Sequence, residues 1–291
     1  AGNVTNNDTG TVTVTGTLNQ LNAAINAANS VTYVANANFA GADPMTITIN
    51  DGGATGGDPT SFGLPGTGTG TTEEGTATVA INVTAVNDAP TITVPTAQSV
   101  NEDTNLVLTG ATAISIADID SSTSDVTATL TVTSGTLTAN GATGTLTSIT
   151  GQGTNTLTLV GTASEINTAI ASLTYVPTAN ANGTDTLNIN VNDGGNNGAD
   201  PSSIGLADTG TATDEQASST IAVTVTPVDD IPVPNTTPGT PDVTIETGST
   251  FTGNITDYFT DPDGGPYTFG IDTTPTNGTL VITNSTTGEF T

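Results

Sequence analysis

The middle of the chain carries three short acidic segments, which read VNDAP at residues 86–90, VNEDT at residues 100–104 and ADIDSS at residues 117–122. Pro90 restricts its own backbone and that of the preceding residue, so the side-chain oxygens of Asn87 and Asp88 are held in an extended linker. Carboxylate and amide oxygens are the ligands that Ca²⁺ takes, in sets of about six to eight. The pattern indicates either a domain junction that binds Ca²⁺ or a group of acidic turn residues.

The linker recurs later in the chain, because the sequence repeats itself with an offset of 142 to 143 residues. Residues 41–90 align without a gap to residues 183–232, and 25 of these 50 positions are identical. Internal repeats of this kind predict tandem domains. We predict the C-terminal part of one repeat at residues 1–88, a complete repeat at residues 89–230, and the N-terminal part of a third, diverged repeat at residues 231–291.

Two interpretations of the incomplete end segments remain open. In the first, the chain is one portion of a much longer tandem array. In the second, residues 231–291 of one molecule are completed by residues 1–88 of the next molecule, which gives a head-to-tail homopolymer. Only the second interpretation predicts that the purified chain assembles.

The strands are indicated by apolar, mostly β-branched residues at alternate positions. This alternation occurs at Val12/Val14, Ile47/Ile49, Val79/Ile81/Val83, Ile92/Val94, Leu130/Val132, Leu187/Ile189/Val191 and Ile221/Val223/Val225. Thr fills most of the intervening positions, and it combines a high strand propensity with a polar outer surface. We therefore predict an all-β fold made of tandem, two-sheet β-sandwich domains.

One element interrupts the strand pattern at equivalent places in two repeats. Thr17 with Gln20, and Thr162 with Glu165, have the spacing of a capping box, and the apolar residues that follow recur at helical intervals. Each of these repeats is predicted to contain one short helix. A capped turn of the same length is the alternative.

Gly- and Thr-rich tracts at residues 52–75 and 194–219 predict one long hairpin loop per repeat. Loops of this length are usually functional or mobile. The apolar residues Phe62 and Leu64 recur as Ile204 and Leu206. This recurrence predicts that the loops pack partly on the sandwich.

The charge composition excludes several functions. The chain has 28 acidic residues and no Lys, Arg, His or Cys, so only a bound cation can neutralise its charge. Nucleic acid and anionic membranes need Lys or Arg at the contact, and no apolar segment is long enough for membrane insertion. Metal sites that use Cys thiolates or His imidazoles are excluded, and so is nucleophilic catalysis that depends on His, because the chain has neither residue. A glycosidase would need paired carboxylates beside stacking aromatics, but Trp is absent, so we expect no enzyme.

Taken together, the motifs resemble the repeat of bacterial cadherin-like domains found in large surface adhesins. They are NDAP at residues 87–90, VNEDT at residues 100–104, ADID at residues 117–120 and NDGG at residues 192–195. Their order and spacing are similar to those of the cadherin calcium motifs, and the resemblance extends over all three copies. Two departures stand out: the mid-domain basic–acidic motif of cadherins is absent, and the third copy has Glu246 in place of the full Asn-Glu-Asp.

The resemblance implies cadherin-like or immunoglobulin-like sandwiches with Ca²⁺ held between successive domains. Carried over by position, it implies a first junction formed by Asp51, Asn87, Asp88, Asp118 and Asp120. It implies a second junction formed by Glu102, Asp193, Asp229, Asp230, Asp261 and Asp263. Asp43, Asp58, Asp185 and Asp200 also recur, but they are explained as turn or loop formers and stand outside the ligand set.

The function that the resemblance implies is an extracellular structural or adhesive array on a bacterial cell surface or in a secreted matrix. Its partners would be other repeats of the same chain and a cell-surface or matrix component. The alternative is a specific ligand- or carbohydrate-binding module that acts through the long loops. Deleting residues 54–70 or 196–212 should separate the two, because only a binding module would lose adhesion and keep its stiffness.

Overall fold

The computed structural model shows a chain built mainly of β-strands in several sheets, with two α-helices in its described part. It describes residues 3–5, 10–27, 31–53, 56–66, 72–121, 123–195, 198–206, 209, 214–235 and 243–291. The predicted all-β, sandwich-type fold is confirmed. The chain divides into two compact units, Ala1–Ala85 and Val86–Thr291, so residues 231–291 group with the complete repeat.

The described residues of the first unit form short strand pairs, one α-helix and one 3-10 helix. Its elements are β1 (Asn3–Thr5), β2 (Thr13–Thr15), α1 (Leu18–Ile25), β3 (Gly41–Ala42), β4 (Met45–Asn50), a 3-10 helix (Pro59–Phe62), β5 (Glu74–Val79) and β6 (Asn82–Val83). β1 pairs with β2, β3 with β6, and β4 with β5, all antiparallel. None of the side chains described in this unit is buried.

The second unit contains the complete repeat. Its strands are β7 (Thr91–Thr93), β8 (Gln98–Asn101), β9 (Leu106–Thr109), β10 (Ser115–Ala117), β11 (Val126–Thr131), β12 (Thr136–Ala139), β13 (Ser148–Thr150), β14 (Thr156–Gly161), β15 (Ser172–Val176), β16 (Gly183–Asn192) and β17 (Gln216–Thr226). Its helices are α2 (Ala163–Ile170) and the 3-10 helices Gly110–Thr112 and Pro201–Ile204. The segment after it forms β18 (Val233–Pro234), β19 (Gly253–Asn254), a 3-10 helix (Ile255–Tyr258), β20 (Phe259–Thr260), β21 (Ile282–Asn284) and β22 (Glu289–Phe290).

Two sheets enclose the core of the complete repeat. The larger sheet has six strands in the order β13-β14-β11-β16-β17-β8, and only its β17–β8 pair is parallel. The three-stranded sheet β12-β15-β9 and the pair β7-β10 supply the facing side chains of the same core. Alternate residues are apolar and buried from Leu187 to Val191 in β16 and from Ile221 to Val225 in β17, as the alternation predicts.

Both predicted helices are present, and both begin with a complete capping box. In α2 the Thr162 side chain accepts from the Glu165 N–H, and the Glu165 carboxylate accepts from the Thr162 N–H. The Asn167 side chain bonds both backbone groups of Ile116 at 2.8 and 2.7 Å. Through Asn167, α2 therefore binds the backbone of β10, and the apolar face of α2 is buried in the core.

The long loops contain the two short 3-10 helices, which begin at Asp58 and Asp200. Each of these carboxylates caps its helix by accepting from the backbone N–H two residues later, so the prediction that they form turns is confirmed. The predicted partial packing of the loops does not involve these four apolar side chains, which are exposed: Phe62, Leu64, Ile204 and Leu206. In the second loop, Pro201 is buried.

Asp185 is a buried structural residue within β16 and not a turn former. Its carboxylate accepts from the N–H groups of Thr133, Ser134 and Thr186 and from the Tyr175 hydroxyl, over 2.7 to 3.0 Å. Burial raises the pKa of Asp185, but the hydrogen bonds from these four donors lower it by more, so the net pKa lies below the ordinary value. A Tyr–Asp pair recurs in the first unit, where the Tyr33 hydroxyl donates to Asp43.

We expect Asp185→Asn to destabilise the complete repeat by about 2–3 kcal/mol at pH 7, because an amide cannot accept from all four donors. A lowered pKa in the folded state gives stability that is present above the unfolded pKa and is lost as the pH falls through the folded pKa. The difference between variant and wild type should therefore shrink in acid. Urea unfolding at pH 7 and below pH 3 checks this, and an equal difference at both pH values would contradict it.

Candidate metal-binding clusters

The first cluster consists of Asn87, Asp88, Asp118, Asp120 and Asp193, and all five residues lie in the second unit. The Asp118 carboxylate accepts from the N–H groups of Asp120 (2.9 Å) and Ser121 (3.1 Å), which fixes the DxD turn after β10. Asp120 in turn accepts from the N–H of Asp88 at 2.5 Å. The linker and the DxD turn are thus brought together, as the sequence predicts.

Asp193 joins the first cluster, although the sequence-based assignment placed it in the second junction. Its Oδ2 accepts from the Asn87 side-chain amide at 2.6 Å, and its Oδ1 accepts from Gly195 and Glu215 N–H groups at 2.8 and 2.9 Å. That part of the prediction is wrong. The reason is strand direction, because Asp193 follows β16 at the end of the sandwich where Asn87 enters.

Asp51 lies in the first unit and repeats the local geometry of Asp193. Its Oδ1 accepts from the N–H groups of Gly53 and Glu73 at 2.9 and 3.0 Å, and these bonds lower its pKa. Gly53 and Glu73 are the sequence equivalents of Gly195 and Glu215. Asp51 is therefore the counterpart of Asp193 within its own repeat, and its place beside Asn87 in the first junction stays a prediction.

The second cluster consists of Glu102, Asp103, Asp230, Asp261 and Asp263. It repeats the first cluster: the N–H of Asp230 donates to Asp263, and the N–H of Asp263 donates to Asp261 at 3.1 Å. Glu102 is 1% exposed, and its Oε1 accepts from the Val228 N–H at 2.7 Å. Asp229 precedes Asp230 in the chain and is exposed.

The two clusters lie at opposite ends of β17. The strand begins beside Glu215, whose N–H donates to Asp193, and it ends at Thr226, whose carbonyl accepts from the Glu102 N–H. Eleven residues of extended chain span about 35 Å. The complete repeat therefore carries one acidic cluster at each end.

Several carboxylate oxygens in these clusters are buried without a hydrogen-bond partner among the described residues. They are Glu102 Oε2, Asp118 Oδ2, Asp230 Oδ2 and, near Asp193, Glu215 Oε1. A buried polar atom without a partner is costly, and a buried charge without a counter-charge is more so. Because the chain contains no basic side chain, no residue of its own can supply that counter-charge.

Burial raises the pKa of three cluster carboxyls above the ordinary value, and neighbouring carboxylates raise it further. Asp193 and Asp120 act on Asp118, and Asp88 and Asp193 act on Asp120. For Asp230 the neighbours are these acidic residues of the second cluster: Asp103, Asp263, Glu102 and Asp261. Like charges thus converge at both ends of the repeat.

The chemistry of the donor set fits a hard cation such as Ca²⁺, since every side-chain donor is a carboxylate or amide. Among the described residues, no three acidic side chains already form a group that could hold a metal ion. A site would therefore also draw on the Asn87 amide and on backbone carbonyl oxygens, which Ca²⁺ accepts as ligands. The unpartnered oxygens of Glu102, Asp118 and Asp230 are the positions where a cation would satisfy a buried group.

Sequence reasoning missed Glu215 and left Asp103 out of the final set. Glu215 is buried, and its Oε2 accepts from the N–H and hydroxyl of Thr209 in the long loop. Its signal in the sequence is the repeat, because it aligns with Glu73 at the offset of 142 residues. Asp103 has a left-handed backbone, with φ of 57°, and accepts from the Asn180 N–H.

No protein-family model matches the chain, and a search of curated proteins finds no match. The similarity to cadherin-like domains thus depends on the motifs themselves. In the described part of the chain, no helix is both long and apolar enough to cross a membrane.

Proposed function

We propose that the chain is a Ca²⁺-stiffened array of cadherin-like sandwich repeats, and that it serves as an extracellular structural or adhesive part of a bacterial surface adhesin or matrix filament. The observation that carries this proposal is the set of buried, unpartnered carboxylate oxygens in three predicted ligands, Glu102, Asp118 and Asp230. An all-acidic chain has no internal means of compensating them. Ca²⁺ sites of extracellular modules typically have a Kd of roughly 0.1–1 mM.

In this proposal, each cluster supplies the ligands of one Ca²⁺ site. At one end of the complete repeat, Asn87 from the linker, Asp118 and Asp120 from the DxD turn, and Asp193 from the end of β16 would hold Ca²⁺. At the other end, Glu102, Asp230, Asp261 and Asp263 would hold it. In both cases the residues come from a linker and from the repeat that follows or precedes it, so a bound cation would fix the linker geometry.

Thermal unfolding in CaCl2, MgCl2 and EDTA tests this function. A ligand that binds only the folded state stabilises it by about 2.7 kcal/mol per site at 100 times its Kd. For a unit of about 200 residues, this raises the Tm by roughly 5–10 °C per site. We expect this increase with Ca²⁺ and a much smaller one with Mg²⁺, which dehydrates reluctantly and prefers octahedral sites. Equal Tm values in all three solutions would contradict the proposal.

We also propose that the chain assembles head to tail, with residues 231–291 of a second copy covering the apolar face of the first unit. Ile49 is 55% exposed, whereas its equivalent Val191 is 0% exposed in the complete repeat. Val191 belongs to the core of the complete repeat, to which residues 91–139 contribute, and residues 231–291 repeat that part of the sequence. β18 pairs with β20 as β7 pairs with β10.

Sedimentation of the full chain over a range of concentrations tests the assembly. We expect the wild type to form larger species as the concentration rises and Ile49→Asp to remain monomeric. The matched control is Thr48→Asp, which places the same charge on the opposite face of β4 and should assemble like the wild type. A wild type that stays monomeric throughout would contradict the homopolymer and favour a covering segment from elsewhere in a longer chain.

A further inference from the structure

We infer that Gly198 is a positioning residue for the first cluster, because the long loop of the complete repeat holds the linker through Gly198 and Ala199. We call these two residues the loop clamp. The inference rests on the proposed Ca²⁺ function and adds a role for the loop. The loop would act on the metal site next to it, in place of binding an external ligand.

The loop clamp contacts the linker through its backbone. Val86 and Ala199 form a parallel β-bridge, and the N–H of Asn87 donates to the Ala199 carbonyl at 3.1 Å. Asn87 is buried, and its side-chain amide donates to Asp193. The backbone of Asn87 is therefore fixed by the loop, while its side chain is fixed by the cluster.

Gly198 lets the two backbones approach this closely. A Cβ atom at this position would overlap the backbone nitrogen of Asn87 and the carbonyl carbon of Val86, and it would lie 2.9 Å from the Val86 oxygen. The backbone φ of Gly198 is also +143°, a conformation that L side chains rarely adopt. Any side chain at position 198 would push the loop and the linker apart.

The other end of the loop is tied to the same cluster. The N–H and hydroxyl of Thr209 donate to Glu215 Oε2, and the N–H of Glu215 donates to Asp193 Oδ1. Asp193 Oδ2 accepts from Asn87, whose N–H returns to the loop at Ala199. These bonds form a closed circuit through Asn87, Asp193, Glu215 and the loop, so a displaced loop would displace a candidate ligand.

Gly56 provides a matched control. It is the equivalent of Gly198 in the first repeat, and its backbone φ of +105° is also unfavourable for an L residue. A Cβ at Gly56 would meet no atom of the described residues within 4 Å. Gly56→Ala therefore carries backbone strain without the clash, whereas Gly198→Ala carries both.

The test is Ca²⁺ titration calorimetry of the full chain in an Asp261→Asn/Asp263→Asn background, which leaves the first cluster as the site under study. Changes to residues that orient metal ligands typically weaken binding by 10–100-fold. We expect a loss of about that size for Gly198→Ala and none for Gly56→Ala. Both variants should still unfold cooperatively in EDTA, and this control shows that a weaker Ca²⁺ affinity of Gly198→Ala does not come from a general loss of folding.

A second measurement needs no Ca²⁺. In EDTA, hydrogen exchange at the Asn87 amide should be faster in Gly198→Ala than in Gly56→Ala and the parent chain, because the bond to Ala199 is lost. Unchanged exchange together with unchanged Ca²⁺ affinity in Gly198→Ala would overturn this inference alone. A parent chain and wild type that both bind no Ca²⁺ would overturn the proposed function, and the positioning role would fail with it.

Discussion

Replacing Asp118 and Asp120 together by Asn will weaken Ca²⁺ binding at the first cluster by roughly 100-fold or more and leave the second cluster unchanged. Two carboxylates that would contact the ion lose their charge, a larger change than loss of an orienting residue, which costs about 10–100-fold. The shape of the side chains is kept. The measurement is Ca²⁺ titration calorimetry of the full chain at neutral pH.

The same double variant should not be less stable in EDTA. Burial and neighbouring carboxylates raise the pKa of Asp118 and Asp120, so the ionised forms are disfavoured in the folded state. Neutral amides remove that repulsion at neutral pH. Ca²⁺ affinity and metal-free stability are therefore expected to change in opposite directions. A purely structural role for these residues predicts lower stability in EDTA, and that result would contradict the assignment.

Asp261→Asn/Asp263→Asn is the matched control for this experiment. These residues occupy the equivalent positions in the second cluster, at the other end of β17. The control variant should lose binding at the second cluster and keep it at the first. If either double variant weakened all binding equally, the two clusters would not be separate sites.

Replacing Ile170 by Ala will destabilise the complete repeat by about 2–5 kcal/mol, the usual cost of removing a large buried aliphatic side chain. Ile170 is 0% exposed at the end of α2 and belongs to the core between the two sheets. Urea unfolding, followed through the transition of the complete repeat, measures the effect. The chain has two compact units, so this transition must be resolved from any other.

Ile25→Ala is the control, because Ile25 ends the equivalent helix α1 but is 53% exposed. Substitution of an exposed residue usually changes the free energy of unfolding by no more than about 0.5 kcal/mol. At concentrations low enough to keep the chain monomeric, the same residue type in the same helix position should therefore give very different results in the two units. Similar losses for both variants would show that the face of α1 is covered in solution.

The sequence predicted the features that depend on local patterns. The alternation in β16 and β17 and the capping boxes at Thr17 and Thr162 each specify their element within a few residues, and the structure confirms them. The exposure of Ile204 was not predictable in this way. Whether a loop side chain finds a surface to pack on depends on the path of the whole loop.

The position of Asp193 shows a different limit. Spacing identified it as a candidate ligand but did not say which end of the sandwich it occupies. The end of the sandwich that Asp193 occupies depends on the direction of β16, because Gly183 and Asn192 lie at opposite ends of this ten-residue strand. The strand directions would have placed Asp193 correctly. β17 ends beside Glu102, and β16 runs antiparallel to it, so the end of β16 and Asp193 lie at the opposite end of the sandwich from Glu102.

The loop clamp changes how a loop deletion should be interpreted. Removing residues 196–212 would remove Gly198 and Ala199 together with any ligand-binding surface on the loop. A loss of adhesion after that deletion would therefore not separate a binding module from a disturbed junction. Substitution of the exposed Ile204 or Leu206 leaves the linker contacts in place and is the better test of the alternative function.

Equilibrium Ca²⁺ binding to the wild-type chain, with Mg²⁺ as competitor, tests the central claim most directly. The proposed function predicts saturable binding of several Ca²⁺ ions that excess Mg²⁺ does not displace. Part of this binding should disappear in Asp118→Asn/Asp120→Asn, and another part in Asp261→Asn/Asp263→Asn. Absence of saturable binding, or binding that persists unchanged when all four substitutions are combined, would contradict it.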